Sequence, residues 1–157
     1  MSARYAASTG VSSEKSRHEI ERTLTRYGAT SFAYGWQAGQ AMIGFVARDR
    51  QIRFVLPMPD KESREFTHTP STRVRRTEKA TEEAYEQAVK QRWRALALVV
   101  KAKLEAVEAG IVTFEDEFAM HMILPDGRPV SSHVLPAIEQ AYATGDVRPL
   151  LQIGAES

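Results

Sequence analysis

Three short runs of alternating residues lie back to back in this chain, and the turns between them leave only one way to pair them. Phe32, Tyr34 and Trp36 alternate with Ser31, Ala33 and Gly35; Ile43 and Phe45 share a face within Ala41 to Ala47; Ile52, Phe54 and Leu56 alternate with Arg53 and Val55. A period of two is the signature of strands. The connections, Gln37-Ala38-Gly39-Gln40 and Arg48-Asp49-Arg50, are too short for a crossover, so they join antiparallel neighbours into a meander. Pro57 and Pro59 end the third strand, because neither can donate to a ladder.

Three strands alone cannot close a core, and helical periodicity on both sides supplies the rest. Ser16 and Glu19 form a capping-box pattern, so a helix is expected to begin near Ser13 or Ser16, to bury Ile20, Leu24 and Tyr27, and to stop at Gly28. Residues 1–12, small and polar, read as disordered. After the strands, residues 60–80 read as a surface loop of mixed charge holding Pro70; such length inside a compact domain is usually functional or disordered. A long helix starts near Thr77 or Thr81 and ends at Ala109, with Gly110 as its stop and Tyr85, Val89, Trp93, Leu96, Val100, Leu104 and Val107 as its inner stripe. At ~1.5 Å per residue it reaches about 45 Å, enough to cross the whole sheet or to project past it. Thr113 caps a further helix burying Phe114 and Phe118; Ser131 or Ser132 opens a last one carrying Leu135, Ile138 and Tyr142, stopped by Gly145. The order is α-βββ-α-α-α, an α+β domain over 13–145 with a tail at 146–157.

The chain is 157 residues long, which suits one domain, and contains no cysteine. Disulfides, thiolate metal sites and cysteine nucleophiles are therefore excluded. The longest apolar run, Ala95 to Val100, is far short of the ~20 residues a membrane-spanning helix needs. No apolar stretch of a signal peptide precedes Ser13, so the expected location is the cytoplasm, away from any membrane. Charge is distributed unevenly. Residues 1–110 hold 19 Lys and Arg against 13 Asp and Glu, whereas residues 111–157 hold 2 against 7. Such polarity lets one face approach a polyanion, and it equally suits subunits that meet head to tail in a homo-oligomer.

The constellation richest in chemistry is basic. Arg73, Arg75 and Arg76 in the loop are followed by Lys90, Arg92 and Arg94 on the long helix. Phosphate backbones favour clustered guanidinium groups, and unstacked bases favour flat rings. Tyr34 and Trp36 are candidate stacking platforms; their alternation with small residues, like the place of Trp93 on the apolar stripe, also fits packing against the helix. The arginines could equally pair with Glu78, Glu82, Glu83 and Glu86. Glu117 and His121 share a helix face as metal ligands would, but Glu115, Asp116 and Glu117 also fit a first helical turn, where the macrodipole favours acids. Ser131-Ser132-His133 is adjacency rather than a triad, and the scattered glycines form no phosphate loop. The expectation is a protein without catalytic residues, metal or cofactor.

Several stretches carry a resemblance: Arg26-Tyr27-Gly28-Ala29, Arg53 to Asp60, Gln91 to Glu105, Phe114 to Phe118, and Leu124-Pro125-Asp126-Gly127-Arg128. Over roughly residues 13–145 the chain resembles a family of short proteins of phage and prophage genomes without an established activity. That resemblance implies a bacterial host cytoplasm and no site residues. A second resemblance covers element order only. A three-strand meander followed by a long helix is similar to the core of Rad52-type single-strand annealing proteins, which form rings and hold DNA in a basic groove. The expected function is thus single-stranded nucleic-acid binding, as an annealing or recombination accessory, with Arg73, Arg75, Arg76, Lys90, Arg92 and Arg94 on phosphates. The alternative is a non-enzymatic interaction module that binds a host or phage protein through the long helix and the acidic C-terminal part.

Overall fold

The computed structural model describes residues 2–37 and 39–151, with side chains described for 13–37 and 39–150. The meander forms as its periodicity requires: β1 (Ser31–Gln37), β2 (Gln40–Ala47) and β3 (Arg50–Pro57) pair antiparallel in the order β1-β2-β3. The register sets Tyr34 opposite Ile43 and Ile43 opposite Phe54, so the apolar positions of all three strands fall on one face. In β2 the alternation is complete, with Ala41, Ile43, Phe45 and Ala47 all buried. The β1–β2 turn includes Ala38, which lies outside the described residues.

Helix α1 (Ser2–Arg26) begins well before the expected start. Ser16 and Glu19 therefore lie inside the helix rather than at its cap, and the Glu19 carbonyl accepts from Thr23 Oγ1 at 2.8 Å. The expectation of a disordered 1–12 segment concerns residues whose side chains are outside those described. Ile20 and Leu24 are buried, and Gly28 (φ 97°) turns the chain into β1.

The segment after β3 is an ordered excursion with a short helix, α2 (Arg64–Thr67), before the long α3 (Glu78–Glu108). Thr77 caps α3 by accepting from Ala80 N at 3.2 Å. The α3 stripe falls where its spacing places it: Val89, Trp93, Leu96, Val100 and Leu104 are buried, with Tyr85 and Val107 packed at the margin. It meets Ile20 and Leu24 of α1 and the inner face of the sheet in one core. Helix α4 (Phe114–Phe118), capped by Thr113, seals this core. Phe118 packs edge-on against both Phe45 (6.1 Å between ring centres) and Phe54 (6.2 Å).

After a 3-10 turn (Ala119–His121) the chain runs along the outer edge of β3, where Ile123 N donates to Gln51 O at 2.8 Å. Helices α5 (Val130–Thr144) and α6 (Arg148–Leu151) follow, the latter inside the expected tail, of which residues 152–157 lie outside those described. One expectation fails in α5. Leu135 and Tyr142 are exposed, and no residue of α5 is fully buried. Its sheltered side keeps the expected Ile138 but joins it with Val134, Ala137 and Ala141, because α5 rests on the 3-10 turn and on α6 rather than on the sheet. Among the described residues, no helix is long and apolar enough to cross a membrane.

The two tryptophans provide the check on this packing. Trp93 is fully buried and Trp36 is 58% exposed. In urea unfolding, Trp93→Ala should cost about 3–5 kcal/mol, whereas Trp36→Ala should stay within about 1 kcal/mol of the parent.

Candidate nucleic-acid interface

The basic segment is held in place by its own hydrogen bonds and by one buried ring. Asp60 Oδ1 accepts from Glu62 N at 2.9 Å, and the Ser63 hydroxyl caps α2 by accepting from Glu65 N. Phe66 is buried against the edge of Tyr85 on α3, with ring centres 5.6 Å apart. The chain then doubles back: Thr69 N donates to Val74 O at 2.9 Å and Arg76 N to Thr67 O at 2.7 Å. Arg73 stands near the tip with φ 55°, a left-handed conformation uncommon for a residue with a Cβ.

The six cations named from the sequence separate into two kinds. Arg76 and Arg92 have structural work: Arg76 Nη1 donates to the Phe66 carbonyl at 3.2 Å, closing the excursion, and Arg92 Nη1 donates to the Pro57 carbonyl at 2.9 Å, tying α3 to the end of β3. Arg73, Arg75, Lys90 and Arg94 are exposed. Among the described residues, none of these four has an ion-pair partner. Of the carboxylates on the first turns of α3, Glu82 instead pairs with Lys61 at 3.6 Å.

Nor do the six form one cluster. Residues two apart on a helix point to opposite sides, which separates Arg92 from Arg94, and Lys90 lies roughly 20 Å along α3 from Thr77. The excursion gathers residues beyond the six: Arg64, Glu65 and His68 line an open depression with Arg73, while Lys61 joins Arg75 and Arg76 in a second one that also holds Glu62 and Glu78.

Trp93 belongs to the core. Trp36, expected from its alternation to pack inward, is exposed because alternation fixes the face of a strand but not how far its end is covered. Its register with Ala41 and Leu56 puts it near the end of an edge strand. Tyr34, 37% exposed, lies between Trp36 (6.5 Å) and Trp93 (5.5 Å), with the Arg17 guanidinium 4.3 Å over its ring. Burial raises the Tyr34 phenol above its ordinary pKa, and the charge of Arg17 partly opposes that shift. Two buried donors flanking Tyr34, Arg17 Nε and Trp93 Nε1, have no hydrogen-bond partner among the described residues. No periodicity in the sequence brings Arg17 of α1 to Tyr34 of β1.

Trp36 and the basic excursion share one end of the sheet. The chain leaves β3 at Pro57, opposite Gln40, and Met58 N donates to Gly39 O at 3.0 Å. From there the excursion runs outward: Thr77, which follows Arg75 and Arg76, lies roughly 22 Å along α3 from the Arg92 that touches Pro57.

The other sequence candidates are engaged elsewhere. Glu117 is bonded to Lys103 at 2.9 Å; His121 stacks on Phe54 at 4.2 Å, and burial lowers its pKa, with Lys103 adding to the effect. His133 contacts Asp126 at 2.7 Å, and the Arg128 backbone N–H, followed by His133, holds the Asp126 carboxyl below its ordinary pKa. No group of three His, Asp or Glu residues placed to hold a metal occurs among the described residues. No protein-family model matches this chain, and neither a curated protein nor a solved structure matches it.

Arg76 gives the excursion its test. Removing its guanidinium takes a charged donor from two adjacent carbonyls, a loss of about 1.5–3 kcal/mol. Arg76→Ala should therefore speed amide exchange across residues 66–74 by roughly tenfold or more, while Arg73→Ala should leave it unchanged.

Proposed function

We propose that this protein binds single-stranded nucleic acid, as a phage-type annealing or recombination accessory acting in a homo-oligomer. The observation that carries the reading is an exposed Trp36 at the end of the sheet from which an ordered excursion departs, whose Arg73 and Arg75 have no ion-pair partner among the described residues. Phosphates supply the charge these cations lack, and release of counterions from the strand drives association. Trp36 and Tyr34 offer faces on which bases stack without regard to sequence. Arg76 and Arg92 act by holding the excursion and the helix in place, and Lys90 and Arg94 offer secondary phosphate contacts along α3.

A second reading, a protein-interaction module, is favoured by a different observation: Leu98 and Val99 on α3, with Leu135 and Tyr142 on α5, are exposed apolar side chains. A protein of that kind has no need of affinity for polyanions.

Fluorescence anisotropy with a labelled oligonucleotide separates the two. The parent should bind with affinity that falls steeply with salt, and Arg73→Ala with Arg75→Ala should shallow the log–log slope by about 1.4, since each lost single-strand phosphate contact contributes ~0.7. Trp36→Ala should cost about 1–3 kcal/mol of binding. Absence of binding at low salt, or binding indifferent to all three substitutions, would overturn the proposal.

A further inference from the structure

The two edges of the sheet are finished differently. Along β3 the chain supplies its own cover: Ile52 bridges to Met122, and Ile123 N donates to Gln51 O at 2.8 Å. β1 has no such cover. Among the described residues it pairs with β2 alone, and Ser31, Ala33, Tyr34, Trp36 and Gln37 are exposed. An open edge is a row of free donors and acceptors, which proteins usually blunt with lysine, proline or a bulge. The run Ser31-Phe32-Ala33-Tyr34-Gly35-Trp36-Gln37 carries no charge and no proline, and its register with β2 is unbroken.

The ladder fixes which backbone groups are free. Met58 N donates to Gly39 O, so the odd-numbered residues of β2 bond to β3 and the even-numbered ones bond to β1. Gln37 faces Gln40 and Ala33 faces Gly44. Ser31, Ala33, Gly35 and Gln37 therefore turn their N–H and C=O groups toward β2, and those of Phe32, Tyr34 and Trp36 point out from the open edge. None of these outward groups has a hydrogen-bond partner among the described residues.

We infer that β1 pairs antiparallel with β1 of a second copy of this chain, about a two-fold axis through Tyr34, to make one continuous sheet. The spacing is self-complementary. With Tyr34 opposite Tyr34 of the partner subunit, Phe32 stands opposite Trp36 of the partner subunit, and the outward groups exchange about six backbone hydrogen bonds, two for each facing pair. No charge meets its own copy across the junction, and the facing pairs are aromatic on aromatic, a favoured cross-strand combination. A second copy thus matches the aromatic row as well as the backbone, which an arbitrary extended peptide does not. An isologous contact of this kind closes at a dimer. Because the axis stands perpendicular to the sheet, the rings of both copies stay on one face. The contact gives the homo-oligomer of the proposed function its interface, and it rests on that part of the reading alone.

The test begins with sedimentation equilibrium of the full chain, 17.6 kDa as a monomer. A dimer with Kd below about 50 μM is expected. Tyr34→Pro removes an outward N–H from the centre of the junction and leaves the ladder to β2 unbroken, whereas Tyr34→Ala loses the same side chain and keeps the N–H. Tyr34→Pro should associate roughly tenfold more weakly than Tyr34→Ala, or worse. Disulfide capture reads the register, since the chain has no cysteine of its own. Tyr34→Cys puts two thiols on the axis, with Cα atoms about 5.5 Å apart, and should cross-link readily under mild oxidation. Ala33→Cys puts them on a diagonal about 7–8 Å apart, and should cross-link roughly tenfold more slowly or not at all. If Tyr34→Pro does not fold, the two cysteine substitutions decide. A monomer at about 200 μM, association equal in Tyr34→Pro and Tyr34→Ala, or equal cross-linking of the two cysteine variants would overturn the proposal. A chain that stays monomeric yet binds oligonucleotide in a salt-sensitive way would remove this interface and leave the nucleic-acid reading standing, so the two fail separately.

Discussion

Burial of the α3 stripe against the inner face of the sheet is the contact on which the rest of this structure depends. A meander of three strands is not independently stable without packing on its apolar face, and Val89, Trp93, Leu96, Val100 and Leu104 provide that packing, with α1 filling the remaining side through Ile20 and Leu24. Each fully buried side chain of this size contributes about 1.5–3 kcal/mol. The same contact orients everything functional. It brings Trp93 under Tyr34, sets Arg92 against the Pro57 carbonyl, and gives Phe66 a wall at Tyr85 on which the basic excursion is built.

Because the strands are antiparallel and the turns short, the sheet has two ends with different chemistry. At one, the edge strand leaves Trp36 exposed and the chain departs into a cationic excursion. At the other, the left-handed Arg48 turn stands beside a small depression that Glu108 also lines. The acidic C-terminal part lies beyond β3: Glu115, Asp116 and Glu117 occupy the first turn of α4, and Asp126 and Asp146 cap local turns by accepting from the N–H groups of Arg128 and Arg148. Those carboxylates serve the fold locally; the acidic residues close to the excursion's arginines are Glu62 and Glu65 of the excursion itself and Glu78 of α3.

Much of the fold was legible because its signals are local. The two-residue periodicity, the short turns, the Thr77 and Thr113 caps and the 3.6-residue stripe of α3 each fix a piece of backbone, and the pieces admit one sheet order. What stayed hidden is lateral and tertiary. Alternation placed Trp36 on the inner face but could not say that the edge strand outruns its cover. Two stripes share Ile138 in α5, and contact with the 3-10 turn and α6, not periodicity, selected Val134 and Ala141 over Leu135 and Tyr142. The six cations read as one cluster in sequence; helix geometry divides Arg92 from Arg94, and carbonyls claim Arg76 and Arg92. The depression beside the Arg48 turn had no sequence signal except, in retrospect, a two-residue turn lacking glycine or asparagine.

The most direct test of where a nucleic acid sits is chemical-shift mapping of the ¹⁵N-labelled protein with a short oligothymidine. If the sheet's basic end holds the strand, the largest shifts will fall on residues 34–36, on the Trp36 indole N–H and across residues 64–76, with the Arg48 turn undisturbed. Shifts centred on α5, on the outer face of α3 or on the Arg48 turn, with Trp36 unchanged, would contradict that placement.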